Sequence, residues 1–139
     1  MVGVCFDQLP VFRLWLCRKL GIPNLMPMST TIAVLNGDDI AAVAAYSRFI
    51  GPDCWITIAG EGRWLTKSIV PLFFKYPFNH LGCRRLSAFC RESNVHAIEF
   101  AKRFGFRQEG VMRAYFEDGE NCVVLGLLRE DCQWIRESQ

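Results

Sequence analysis

The sequence predicts an α/β fold of the α+β kind, with strands and helices sharing one core. Three observations carry that expectation. Runs of β-branched residues alternate with runs of helical period, and an Asn-Gly pair at 36–37 joins two of the former. The 139 residues, 51% hydrophobic and 22% charged, suffice for one globular domain spanning 1–139.

Residues 1–17, MVGVCFDQLPVFRLWLC, are apolar but interrupted by Asp7, Pro10 and Arg13. With no early basic region and no small-residue cleavage site, they read as part of the fold rather than as a signal peptide or membrane span. From Leu9 to Leu20 the spacing predicts a first helix with Val11, Leu14, Trp15 and Leu20 near one face, closed by Gly21 and Pro23. Residues 26–28 follow as loop. TTIAVLN and IAAVAAYSRF then flank the Asn-Gly turn as a hairpin; the alanines of the second run also suit a helix, and the turn decides for strand. After a break at GPD, the stretch CWITIAG reads as a buried central strand running into Gly60, Glu61 and Gly62.

LTKSIVPLFFKYPFNHLG predicts a helix with Thr66 as N-cap and Gly82 as terminator. Pro71 fits only a first turn, which moves the start to Ser68, and Pro77 implies a kink or an early end. RRLSAFCRE alternates as a strand, with Leu86, Ala88 and Cys90 on one face and Arg85, Ser87 and Phe89 on the other. A helix opens at Asn94, placing Val95, Ile98, Ala101 and Lys102 on one side while Glu99 and Arg103 look outward. Gly105 serves as its C-cap and Phe106 folds back over its end. Two more strands surround the turn EDGEN, and CQWIRE makes a short closing helix.

Charge narrows the function. Sixteen Lys and Arg are scattered among fourteen Asp and Glu for a net charge of +2, so no basic stripe is available to track a phosphate backbone and nucleic acid is not an expected partner. The seven cysteines contain no CxxC pair, and His80 and His96 lie far from any cysteine cluster with zinc spacing, so no metal is expected. An odd number of thiols on apolar stretches points to reduced core cysteines and a cytoplasmic setting.

The string from Arg84 to Asp131 carries more. Its pattern N-x-x-A-x-x-F-x-x-x-x-G-F from Asn94, the Glu109-Gly110 pair, Arg113 and the closing LLRED resemble the GNAT superfamily of acyl-CoA N-acyltransferases. Within it the string is similar to members that modify ribosomal-protein and other amino termini and to small members carried by bacteriophages. The resemblance, over residues 30–136, implies a twisted mixed, mostly antiparallel sheet with helices on both faces. It implies that CWITIAG and RRLSAFC splay apart at one end with acetyl-CoA (coenzyme A) in the cleft between them, and that the helix from Asn94 lines it.

The family's pyrophosphate loop falls by position on Arg63, Trp64, Leu65, Thr66, Lys67 and Ser68, where a helix start supplies N–H donors and positive potential. After Gly62 this sequence has no second glycine, and Arg63, Lys67 and the hydroxyls of Thr66 and Ser68 are left to compensate by charge and hydrogen bonds. The oxyanion donor would be the backbone N–H of Ile58 or Ala59. Base candidates are Glu61, whose partial burial would suit it to proton abstraction near neutral pH, and His96; a solvated loop carboxylate and a surface histidine are the plain readings of the same two residues. Many members place a tyrosine acid where this chain has Ala101, so Asn94, Tyr115 and Tyr46 are the remaining polar groups to locate.

Two functions lead, ahead of a nucleotide or CoA sensor that would bind cofactor and transfer nothing. One is acyl transfer from acyl-CoA to a primary amine of a protein, peptide or small molecule by direct attack. The other is a catalytically silent GNAT fold serving as a virion or partner-binding module, in a host cytoplasm if the gene is a phage's. Phe12, Trp15, Phe116 and Trp134 would mark a homo-oligomer or virion contact wherever they are exposed together.

Overall fold

The computed structural model describes residues 2–62, 64 and 66–136. The strands are β1 (Val2–Cys5), β2 (Thr30–Asn36), β3 (Asp39–Ile50), β4 (Asp53–Gly60), β5 (Arg85–Arg91), β6 (Arg107–Met112) and β7 (Cys122–Leu128), and the helices are α1 (Pro10–Leu20), α2 (Val70–Lys75) and α3 (Val95–Arg103). All seven strands form one sheet in the order β1-β2-β3-β4-β5-β7-β6. Every adjacent pair is antiparallel except β4 with β5.

The β2–β3 hairpin is the one expected, with Asn36 opposite Asp39 and Gly37 at φ 64° in the turn, a conformation that suits a residue without Cβ. The alanine-rich run is strand, for a packing reason. Ala33, Val43 and Ala45 receive Phe12 and Leu16 of α1 on one face, while Ile32, Val34, Ala42, Ala44 and Tyr46 join Phe73, Phe74 and Ile98 on the other. Small residues on both faces of β3 let helices approach the sheet from both sides.

One strand is unexpected, and four expectations are corrected. Val2–Cys5 is an edge strand paired to β2, a segment too short to show an alternation of its own. In α1 the buried side chains are Phe12, Leu16 and Cys17, whereas Val11, Leu14 and Leu20 are exposed; apolar residues encircle this helix, so its period does not select the buried stripe. α2 starts at Val70 rather than Ser68 with Ile69 at the cap position, and Thr66 instead accepts the Ile69 N–H on its hydroxyl in the preceding turn. CQWIRE is not a helix of its own but contributes a 3-10 turn, Gln133–Ile135, after another at Arg129–Asp131. Val95, placed by spacing on the packed side of α3, is exposed, and Ile98 is the buried anchor of that helix.

Pro77 acts as expected, by ending regular α2. Lacking an N–H, it lets the chain widen into the π turn Tyr76–His80, where Leu81 N–H donates to Tyr76 C=O at 3.1 Å and Cys83 N–H to Pro77 C=O at 3.0 Å. α3 ends at Arg103 with Phe104 in the cap position, one residue before the expected Gly105, which turns the chain at φ 107°, and Phe106 is buried behind it. All seven cysteines are free thiols, five of them buried.

Candidate active site

The site begins with a failure of pairing. β4 and β5 are in register only at Asp53 with Arg85, Cys54 with Leu86 and Trp55 with Ser87. β4 continues to Gly60 and β5 to Arg91 with no further partners between them, so the strands diverge as the resemblance implied. Orientation of the backbone follows from the bonds at either end. Arg85 N–H donates to Pro52 C=O at 3.1 Å, and Glu61 N–H donates to Ala41 C=O at 2.8 Å. Alternation then turns even-numbered residues of β4 toward β5 and odd-numbered ones toward β3. Of the two oxyanion candidates, Ile58 therefore aims its N–H into the gap, while Ala59 is turned to Val43 across β3.

Two hollows meet at this gap, on opposite faces of the sheet. The first, of about 310 Å³, runs between the strands and α3, walled by Ile56, Ile58, Ala88, Cys90, Phe73, Ala97, Phe100 and Ala101. The second, of about 220 Å³, lies on the α1 face beneath the segment 22–29 and the β6–β7 connection. They share Ile22, Ile56, Thr57, Phe89 and Phe116. A molecule entering from α3 and another entering from the α1 face would meet beside the Ile58 N–H.

Ala97 and Ala101 are small because they form a wall. A tyrosine at 101 would narrow the first hollow. Asn94 also lines it, and its side-chain oxygen accepts the Ala97 N–H at 3.2 Å, capping α3 with its amide group at the cleft. Cys90 is half-buried in the wall, and burial, together with nearby Cys122, raises its thiol pKa, so it stays protonated and apolar.

The predicted base candidates do not converge on the gap. Glu61 is exposed rather than partly buried, and its carboxylate pairs with Lys19 of α1, because the chain has already left β4 at that point. His96 is exposed on α3 and lines neither hollow. Tyr46 is fully buried and donates its hydroxyl to Phe73 C=O at 2.7 Å; burial raises its pKa well above the ordinary 10.0. Tyr115, by contrast, is half-exposed and lines the second hollow. The spacing had no means of finding it, since the β6–β7 connection carries no periodic signal.

Of the predicted phosphate loop, Arg63 and Leu65 lie outside the described residues. Thr66, Lys67 and Ser68 form an exposed turn, and the Thr66 C=O takes the N–H groups of both Ile69 (3.2 Å) and Val70 (3.0 Å). Those two donors of the helix start are thus engaged within the chain. Trp64 points inward, 4% exposed, against Phe73 (5.6 Å between centroids) and Phe100 (6.4 Å). Its indole lies so close to Gly60 that a Cβ there would stand 2.2 Å from Nε1.

No protein-family model and no curated protein sequence matches the chain. Solved structures do. The spermidine N-acetyltransferase of Vibrio cholerae, crystallised with CoA and spermine, superposes with a TM-score of 0.75 over 97% of this chain and 98% of that one at 10% identity. A GNAT-family acetyltransferase from Bacillus anthracis superposes with a TM-score of 0.61 over 72% and 66% at 15% identity. Likenesses of this depth establish that the chain has the GNAT fold. They lend no support to a bacteriophage origin.

Proposed function

We propose that the protein is an acyl-CoA-dependent N-acyltransferase that joins an acyl group to a primary amine by direct attack. The observation that carries this reading is the pairing of β4 with β5, which stops at Trp55 and Ser87 and leaves the Ile58 N–H facing a hollow open to both sides of the sheet. An interior strand with unpaired backbone is costly unless something else bonds it. An extended amide-bearing arm between the strands would satisfy those groups, and the apolar walls Ile56, Ile58, Ala88 and Ala97 fit its methylenes.

Acyl-CoA would supply an activated thioester. This chain's part is to hold and polarise: Ile58 N–H donates to the carbonyl oxygen as negative charge develops, in a gap where burial strengthens the bond. Asn94 is available at the open end of α3, and Arg63 and Lys67 carry the positive charge a pyrophosphate requires. Glu61 and His96 are exposed, so the amine's proton would leave through solvent or a water held by the hydroxyls of the second hollow rather than by direct transfer to either.

Trp64 favours a second reading, a GNAT fold that binds a partner without turnover, because its ring stands at the head of the cleft against Phe73 and Phe100. One titration separates the two. Acetyl-CoA is added to the reduced protein in a calorimeter, beside Ala97→Trp, which fills the first hollow, and the double variant Arg63→Ala with Lys67→Ala. The transferase reading expects wild-type binding that falls at least about tenfold, or ~1.4 kcal/mol, in each variant. No binding to wild type, with binding gained in Trp64→Ala, establishes the silent fold instead.

A further inference from the structure

The second hollow has a chemistry of its own. Its walls are aromatic: Trp55 and Phe89 stand 4.5 Å apart between centroids, and Tyr115 packs edge-on to Phe116 at 5.1 Å, with Leu25 and Met26 closing the side. The polar groups that line it are neutral, namely Asn24, Ser29, Ser47 and Thr57. Among the described residues, no Asp or Glu lines either hollow. Two guanidinium groups stand over its aromatic walls. Arg48 lies 4.5 Å over the Trp55 ring and Arg91 4.2 Å over that of Phe116. Arg91 is answered by Asp118 (2.9 Å) and Glu120 (3.0 Å), whereas none of the described ion pairs includes Arg48.

We infer that the acceptor is a small primary monoamine carried on an aromatic body, with the ring held between Trp55, Phe89 and Tyr115, and that polyamines are refused. The inference rests on the acyl-transfer reading and names its substrate class. A polyamine would bring two or more ammonium groups into a hollow whose lining has no carboxylate to receive them and whose Trp55 wall is covered by the Arg48 guanidinium, which disfavours binding by desolvation and by like-charge repulsion together. An aromatic monoamine meets the opposite conditions. Its ring gains offset and edge-to-face contacts, and its nitrogen meets only hydroxyl and amide groups. The Arg48 guanidinium also favours the neutral amine, which is the form that attacks. At about 220 Å³ the hollow is smaller than the ~300–1,000 Å³ usual for drug-sized ligands, so the acceptor is small.

The reaction balances without a further reagent. The nitrogen lone pair forms the N–C bond as the thioester C–S bond breaks. The electron pair leaves on sulfur, and the one proton shed by nitrogen is taken up by the thiolate, giving an amide and free coenzyme A.

The test uses the full chain, acetyl-CoA, and either 2-phenylethylamine or spermidine, with amide product followed by mass spectrometry and acetyl-CoA binding followed in parallel by calorimetry. The expected result is a kcat/KM for 2-phenylethylamine at least about 100-fold above that for spermidine, or ~2.7 kcal/mol. Tyr115→Ala and Met26→Ala, both at exposed positions, are expected to raise KM for the aromatic amine about tenfold while leaving acetyl-CoA affinity unchanged. Acetyl-CoA binding with spermidine preferred, or with neither amine acetylated, overturns the inference and leaves the acyl-donor site standing. No acetyl-CoA binding overturns both.

Discussion

Tyr46 shows how a single residue fixes the wall of the cleft. Its ring is fully buried on β3, edge-on to Tyr76 at 5.0 Å, and its hydroxyl satisfies the Phe73 C=O of α2. That bond ties the helix bearing Phe73, a cleft residue, to the sheet. Tyr46→Phe strands the carbonyl and is expected to lower stability by about 1–3 kcal/mol, read from the urea midpoint at unchanged m-value. Gly60 matters for a different reason: a Cβ there would stand 2.2 Å from the Trp64 Nε1, so any side chain at that position displaces the ring.

At the scale of elements, what the sequence made legible followed how strongly each element depends on side chains. The β2–β3 hairpin was announced by its turn, and α3 by Asn94, its spacing and Gly105. β1 and the buried stripe of α1 were not legible, the first for want of length and the second because Val11 and Leu14 are as apolar as Phe12 and Leu16. The gap itself is a backbone event. Nothing in CWITIAG or RRLSAFC says where pairing stops, and only the resemblance of the later string suggested that it does. Hydrogen exchange reads this element directly. The amides of Thr57 and Ala59, turned to β3, are expected to exchange slowly, and that of Ile58 at least about tenfold faster; saturating acetyl-CoA should slow Ile58 while leaving its neighbours as they are. Equal rates for all three in the free protein would refute the assigned backbone orientation.

For the whole molecule the thiols set an alkaline limit. Burial above all, with Cys83 and Asp53 nearby, pushes Cys54 from its ordinary 9.0 up to about 12, and burial likewise raises Cys83, Cys122 and Cys132. A thiol that keeps its proton longer in the folded chain than in the unfolded one contributes stability that is intact below pH 9 and is lost as pH climbs toward 12. Stability measured by urea is therefore expected to fall steadily across that window. The same groups should resist iodoacetamide at pH 8 until the chain unfolds, with the half-buried Cys5 of the edge strand modified first in a mass-spectrometric time course.

The three-residue register between β4 and β5 has a kinetic consequence. It divides the sheet into two parts that are each contiguous in sequence, β1–β4 and β5–β7. Among the described strands the seam has the fewest paired residues of any junction, so closing the chain from Asp53 to Arg85 is repaid by less pairing than at any other join. The seam is therefore expected to form late, and the cleft with it. Side chains on its walls would then be almost absent from the folding nucleus, so that changing them alters how fast the molecule comes apart and hardly how fast it assembles. A cleft placed at the last join of the chain is free to vary without obstructing the path by which the chain folds.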